Sequence, residues 1–549
     1  MLLFDRILAA KGLNGESKAA FLVPDYSKHY DPFLLSDMDK AVQRLTLAKK
    51  HQDHIVIYGD YDIDGLTAAT LLHDALNSFG FKFVEIFIPS RFEEGYGLTV
   101  DAVEKIVSNE AKLIITVDCG SNSKKEIISA KKLGVDVIVT DHHNISDIIP
   151  PAIAVINPKR KGNKYPFVDL AGVGVVFKLV QAMQVKFNNK SETNSGLAIG
   201  HEKWLLDLVA LGTVCDVVPL IDENRTNVYW GLKVLAQTKR PGLRALMAIA
   251  GIDPKNLNAR SIGFGLGPRM NAAGRLETAR HALEMLTENN PMLALEKAEY
   301  LDKLNKSRRI EQDKIYKQAI IQCELHTNDN VLVVSSADWN HGIVGIVASK
   351  ILEKYKKPTF VLQEMGDESK GSARSFGDFS AIDAINSAKS LINKGGGHKY
   401  AAGVTLPTKN IGKFRKRVND YYEKQKLGDQ KSLLLPKADA TAELGEITEE
   451  LIDLISGLEP FGIGNLQPII KCENLKVIDV RKMGADSQHI KLNLQDAKGL
   501  TMQFLAFNAN EIFFVEIGKQ VSAWFHPNIN QWRGKRSVEG QMLHIEVID

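Results

Sequence analysis

The residues best equipped for chemistry are acidic and imidazole side chains in four short clusters. Asp60-Tyr61-Asp62-Ile63-Asp64-Gly65 follows an apolar run at 55–58, Asp118 follows one at 113–117, and Asp141-His142-His143 follows one at 135–140. The fourth, Asp216, lies in Leu211-Gly212-Thr213-Val214-Cys215-Asp216. Each alone has an ordinary explanation, since an Asp after a strand commonly caps a helix or forms a turn. Together they would crowd like charges into one crevice, which is costly unless a cation sits there. Oxygen ligands with one or two imidazoles suit Mn²⁺ or Mg²⁺ better than a structural zinc. Several carboxylates invite two ions, roughly 3.5–4 Å apart, that hold an attacking hydroxide and steady a phosphoryl group. The chemistry is hydrolysis of a phosphate ester or anhydride, with the choice still open.

The elements that must position these groups follow from patterning. Apolar, β-rich runs at 55–58, 84–88, 113–117, 135–140 and 152–156 alternate with helical spacing at 66–79 and 123–133. That alternation predicts an α/β fold: a parallel sheet with helices on both faces, whose ligands gather at the carboxyl ends of strands. Residues 173–322 read as largely helical. Their last part, 291–322, opens at Pro291 and has no Gly or internal Pro, as a long helical connector requires. A second α/β unit opens at 331–335 and runs to about 426, and 427–436 has the composition of a linker. Short apolar runs from 437 to 549 predict a small β-barrel.

Bulk properties exclude several classes. A chain of 549 residues exceeds one hydrophobic core, so two to four domains are expected. No apolar run reaches the roughly 18 residues of a membrane span. Asp5, Arg6 and Lys11 interrupt the first stretch, which argues against an export signal. Cys119, Cys215, Cys323 and Cys472 lie far apart without zinc or redox spacing, which fits a reducing cytoplasm. A net charge of +3 leaves nucleic acid open, because local clustering decides that question.

The four clusters, read as Asp60-Tyr61-Asp62-Ile63-Asp64-Gly65, Val117-Asp118-Cys119-Gly120, Thr140-Asp141-His142-His143-Asn144 and Gly212-Thr213-Val214-Cys215-Asp216, resemble the motifs of the DHH phosphoesterase superfamily. The first resembles its RecJ-like branch of single-strand-specific exonucleases. Gly395-Gly396-Gly397-His398-Lys399-Tyr400-Ala401-Ala402-Gly403 resembles the glycine-rich motif of the accessory (DHHA1) domain. The resemblance implies a DHH catalytic domain with extensions over 1–290, a connecting helix over 291–325, a DHHA1-like substrate clamp over 326–426 and an OB-like single-strand-binding barrel over 437–549. It implies Asp60, Asp62, Asp118, His142 and Asp216 as metal ligands, with His143 and Asp64 beside the metals or the scissile phosphate as catalytic groups. Asp64 also suits the cap of the helix expected near Leu66.

Nucleic-acid contacts are sought where arginine and glycine coincide. The stretch from Gly263 to Arg275 offers Arg269, Asn271 and Arg275 to phosphate oxygens, a plain loop being the competing reading. The resemblance places this region, joined by Arg91, near the 5′ end of the substrate. Ser372, Arg374, Gly396, Gly397 and His398 would surround a phosphate chain in the second unit, although glycines also make tight connections. Of two basic and aromatic runs, Lys413-Phe414-Arg415-Lys416-Arg417 and Trp532-Arg533-Gly534-Lys535-Arg536, only the second is assigned to DNA, through Trp532 and Arg533. The expected function is stepwise 5′ to 3′ hydrolysis of single-stranded DNA in repair and recombination, by a cytoplasmic monomer with no membrane attachment. Single-stranded DNA, a single-strand-binding protein and a helicase are the expected partners. Two alternatives stay open: a phosphodiesterase for oligonucleotides or cyclic dinucleotides, disfavoured by the C-terminal mass, and a non-catalytic DNA-binding scaffold, disfavoured by the full ligand set.

Overall fold

A computed structural model of the chain describes residues 2–90, 97–188, 197–428, 430–484, 487–509, 511–532 and 534–548. The first sheet contains β1 (Ile55–Gly59), β2 (Val84–Phe87), β3 (Leu113–Val117), β4 (Asp136–Thr140) and β5 (Ala154–Ile156). Its order is β2-β1-β3-β4-β5, parallel throughout. Every residue of β1 and β3 is buried, as Val- and Ile-rich strands covered on both faces should be. One apolar core joins the sheet to the helices α1 (Ile63–Ser78), α2 (Gly172–Asn188) and α3 (Leu206–Cys215). A smaller core on the opposite face holds Val103 and Ile106 from one helix and Ile127 and Ala130 from another.

The stretch from Gly263 to Arg275 is not a loop. Residues Ser261–Leu266 form a π-helical segment that runs straight into α4 (Gly267–Leu276), with Pro268 in the first turn. Gly265 and Gly267 serve close packing. A Cβ on Gly265 would lie 2.6 Å from Ile252, and one on Gly267 2.8 Å from Cys215 Sγ.

The helix α5 (Pro291–Glu324) leads into a second sheet of β6 (Leu332–Ser336), β7 (Thr359–Met365), β8 (Glu368–Arg374), β9 (Lys394–Gly397) and β10 (Ala401–Pro407). The order is β6-β7-β8-β10-β9, with β6 and β7 parallel and the other pairs antiparallel. Helix α6 (His341–Tyr355) packs on β7 and β8. The C-terminal part contains β11 (Ala440–Thr441), β12 (Ile470–Met483), β13 (His489–Gln495), β14 (Thr501–Ala506), β15 (Gln520–Trp532) and β16 (Lys535–Ile548). Pairing of β12 with β15 closes β12-β13-β14-β16-β15 into a barrel, and β11 adds to β12 in parallel. Leu3, Phe4, Ile7 and Leu8 from the N-terminal helix are part of the barrel's core, so the two ends of the chain share one hydrophobic cluster. Among the described residues no helix is long and apolar enough to cross a membrane.

Candidate active site

The carboxyl ends of β1, β3 and β4 deliver the first three clusters to one crevice, and the end of α3 delivers Asp216. Asp60 follows β1. Asp62 caps α1, accepting the Gly65 N–H at 3.1 Å, so the capping role expected of Asp64 falls to Asp62. Asp64 is buried in the first turn of α1 and accepts the N–H groups of Gly172 (2.6 Å) and Val173 (2.8 Å), the first residues of α2. Asp118 adopts φ +59°, a left-handed conformation uncommon outside glycine and asparagine-like residues. A Cβ on Gly172 would lie 2.7 Å from Asp118 Oδ1, so α2 begins on a glycine because a ligand-bearing side chain fills that space.

Three overlapping sets of donor atoms result, each with all members within 4.8 Å of one another: Asp60, Asp62 and Asp118; Asp118, His142 and His143; Asp64, His142 and Asp216. His142 Nε2 lies 3.1 Å from Asp118 Oδ1, 3.5 Å from Asp216 Oδ2 and 3.8 Å from Asp64 Oδ2. Asp141 belongs to none of these sets. It accepts the N–H groups of Ser121 (2.9 Å) and His142 (2.7 Å) and pairs with His143 Nδ1 at 2.8 Å.

Electrostatics set these groups apart. Burial, then repulsion from neighbouring aspartates, pushes the Asp118 carboxyl well above the usual carboxylate range. The same causes push Asp64 up to about 7 and Asp216 up to about 9. Burial, with the charge of His143, pulls His142 down to about 3. Asp141 moves the other way: although burial opposes it, the His143 hydrogen bond holds it below the usual range, and Asp141 in turn raises His143. Asp118 Oδ1 and His142 Nε2 are buried and, apart from facing each other at 3.1 Å, have no hydrogen-bond partner among the described residues. Neutral imidazole and carboxylates that repel each other are the donors a divalent cation needs.

The other predicted residues fall into distinct places. Asn271 and Arg275 line a cleft of about 550 Å³ that also takes in Val214, Cys215, Val217 and Val218, the residues flanking Asp216. Arg275 Nη1 donates to Gly342 O in α6 at 3.1 Å, tying α4 to the second unit. Arg269 is directed elsewhere: Nε binds Asp302 Oδ1 on α5 and Nη1 binds Gly265 O, both at 2.8 Å. Its guanidinium is held by α5 rather than presented to the cleft. Ser372 and Arg374 lie together against Gly345 of α6, and Ser372, Gly403 and Gly396 are in register across β8, β10 and β9. Strand β9, with Gly396 and Gly397, and the following His398 are exposed. Arg91 and Arg533 lie outside the described residues, as does the side chain of Trp532. In the run that was not assigned to DNA, Phe414 is core and Arg415 binds Val333 O and His326.

Sequence reasoning missed Asn157 and Ser121. Asn157, buried just past β5, donates through Nδ2 to Ser121 Oγ (2.8 Å) and His143 O (2.9 Å). Ser121 holds Asp141, so the two brace the loop that carries both histidines. Their position beyond a strand's carboxyl end was the available signal.

The match to known proteins extends along the chain. Residues 54–213 match the DHH family N-terminal domain, 328–424 the DHHA1 domain and 438–544 the RecJ OB domain. The single-stranded-DNA-specific exonuclease RecJ of Bacillus subtilis is 36% identical over 96% of this chain, which spans 66% of that protein's length. RecJ of Haemophilus influenzae is 33% identical, with 94% of this chain and 92% of that protein covered. The crystal structure of RecJ in complex with Mn²⁺ from Thermus thermophilus superposes with TM-score 0.81 at 26% identity, covering 100% of this chain and 78% of that one. A second structure from that organism, in complex with Mg²⁺, gives 0.76 at 25% identity, covering 100% and 74%. With its donor sets, its closed C-terminal barrel and relatives of this identity along nearly its whole length, the chain belongs to the RecJ family of exonucleases, metal-dependent phosphodiesterases of the DHH superfamily.

Proposed function

We propose that this protein removes nucleotides one after another from the 5′ end of single-stranded DNA, in repair and recombination. The observation that carries the reading is the set of donor triads converging on buried Asp118 Oδ1 and His142 Nε2, which face only each other and the neighbouring donors. Asp60, Asp62, Asp118, His142 and Asp216 would hold two Mn²⁺ or Mg²⁺ ions, which supply a hydroxide nucleophile and charge stabilisation for in-line attack. His143, made more basic by Asp141, protonates a phosphate oxygen at the reacting centre. Asp64 keeps its assignment beside the metals: it faces His142 and Asp216 within one donor set while accepting the N–H groups that start α2, so it also fixes that helix against the donors.

Asn271 and Arg275 in the cleft, with Ser372, Arg374, Gly396, Gly397 and His398 on the second sheet, hold flanking phosphates through N–H and hydroxyl donors. Arg91, Trp532 and Arg533 keep their assignments on sequence grounds alone. The working parts are then a catalytic region over 1–290, a connector over 291–325, a clamp over 326–426 and a barrel over 437–549. Duplex is excluded because the strand must pass between the two α/β units, so a helicase and a single-strand-binding protein are the natural suppliers of substrate.

An end-labelled single strand and the matching blunt duplex, each with Mn²⁺, Mg²⁺ or chelator, test the proposal. Mononucleotides should appear from the 5′ end of the single strand only, and only with metal. Equal digestion of the duplex, release from the 3′ end, or no release with either metal would overturn it.

A further inference from the structure

The cleft beside Asp216 has a cationic wall that the metal chemistry does not use. Arg308, on α5, lines it and is 9% exposed. Its Nη1 donates to Gln312 Oε1 at 2.8 Å and its Nη2 to Asn305 Oδ1 at 3.0 Å, both neutral amides. Nε has no partner among the described residues. On the same helix Asp302 is committed to Arg269 and Lys306, and Asp313 to Lys350, while Glu459 stands on the lining of the same cleft without an ion pair to Arg308. Arginine stays charged in proteins, and a buried guanidinium hydrogen-bonded only to neutral amides is poorly compensated. An anion entering the cleft would relieve that cost.

The rest of the wall indicates which anion. Phe264 is 72% exposed, and the Arg260 guanidinium lies 5.5 Å from its ring centroid. Val217 and Ile463, also exposed, line the same cleft. An exposed aromatic ring and a buried cation on the lining of one cleft match an unpaired strand, whose bases stack while its phosphates are bound. We infer that Arg308 seats a backbone phosphate of the bound strand and that Phe264 stacks on a base next to it. This rests on the single-strand reading above and adds a positioning residue on α5.

The test uses metal-free full-length protein and a fluorescent oligothymidylate of about 20 nucleotides, with anisotropy followed across a salt series. Arg308→Gln should weaken binding about tenfold and lower the log–log salt slope by about 0.7, the share of one phosphate on a single strand. Arg309→Gln, which removes an equal charge from the exposed side of the same helix, should leave the slope at the wild-type value. Asn305→Asp keeps Arg308 but places a carboxylate beside its Nη2, so it should reproduce the loss without lowering the thermal midpoint. Phe264→Ala should cost about tenfold in affinity with the slope unchanged. Wild-type slopes for both Arg308→Gln and Asn305→Asp, or an equal drop for Arg309→Gln, would overturn the assignment of Arg308. A wild-type protein that neither binds nor cuts single strands would instead overturn the parent reading.

Discussion

Asp118 belongs to two of the three donor sets and is the carboxylate most crowded by others. Asp118→Asn keeps the shape but removes the charge that a shared ligand contributes. Activity on single-stranded DNA should fall by more than about 100-fold, beyond what losing an outer partner costs. Asn157→Leu breaks the brace behind His143 without touching the donors, and a drop of about 10–100-fold is expected. Steady-state rates with saturating Mn²⁺ check both, and near-normal activity in the Asp118 variant would remove that residue from the site. The raised carboxyls also set a pH dependence. In metal-free protein, folded Asp64 and Asp216 keep protons up to about 7 and about 9, which the unfolded chain has lost above about pH 4. The folded state therefore binds more protons, and metal-free stability must fall as pH rises through that window. Mg²⁺ replaces those protons, so the rise in thermal midpoint that it produces should grow from pH 6 to pH 9. A rise that stays constant across that range would show that the aspartates are already ionised in the metal-free site.

Helix starts and strand ends do most of the positioning, and Gly172 at the start of α2 is the tightest case. Its missing side chain admits the Asp118 carboxylate, and its N–H goes to Asp64. Gly172→Ala should cost about 1–3 kcal/mol through overpacking and move a ligand by enough to remove most of the activity. Chemical denaturation and a rate assay should both register the change; a fully active, equally stable variant would mean that the crevice yields easily. The strands were legible because buried parallel strands read as apolar runs, and the donors were legible because such sheets expose chemistry at one end. Asp62 and Asp64 were harder to tell apart. Both stand at the start of the same helix, but what Asp64 binds is the start of α2, more than 100 residues away, which no local pattern encodes. Glycines from 263 to 267 kept a loop open as the competing reading for a related reason: spacing cannot distinguish a glycine that frees the backbone from one that admits Ile252 or Cys215. The pairing of Arg269 with Asp302 was equally hidden, because Asp302 lies on a different helix.

Taken whole, the molecule closes on itself, and that closure was invisible in the sequence because it depends on contacts across more than 200 residues. Arg225, 3% exposed on the helix Asp222–Leu235, donates to Phe21 O (3.1 Å), Leu458 O (2.9 Å) and Pro460 O (3.4 Å), with its guanidinium 3.7 Å from the Phe21 ring. Leu220 N–H reaches Ile463 O at 2.6 Å nearby. One guanidinium thus ties the catalytic unit to the N-terminal arm and to the segment before the barrel, whose Glu459, Phe461 and Ile463 form a wall of the cleft. Arg225→Met conserves much of the volume but leaves buried carbonyls without donors, at a cost of about 3 kcal/mol. The donor sets lie on other elements and keep their geometry. Hydrolysis of a dinucleotide should therefore persist in this variant, while KM for a long single strand rises because one wall of its path has loosened. Thermal midpoints and paired kinetics on the two substrates separate these effects. Equal losses on both would mean that Arg225 supports the catalytic core itself, and unchanged KM on the long strand would mean that the barrel segment holds its place without this tie.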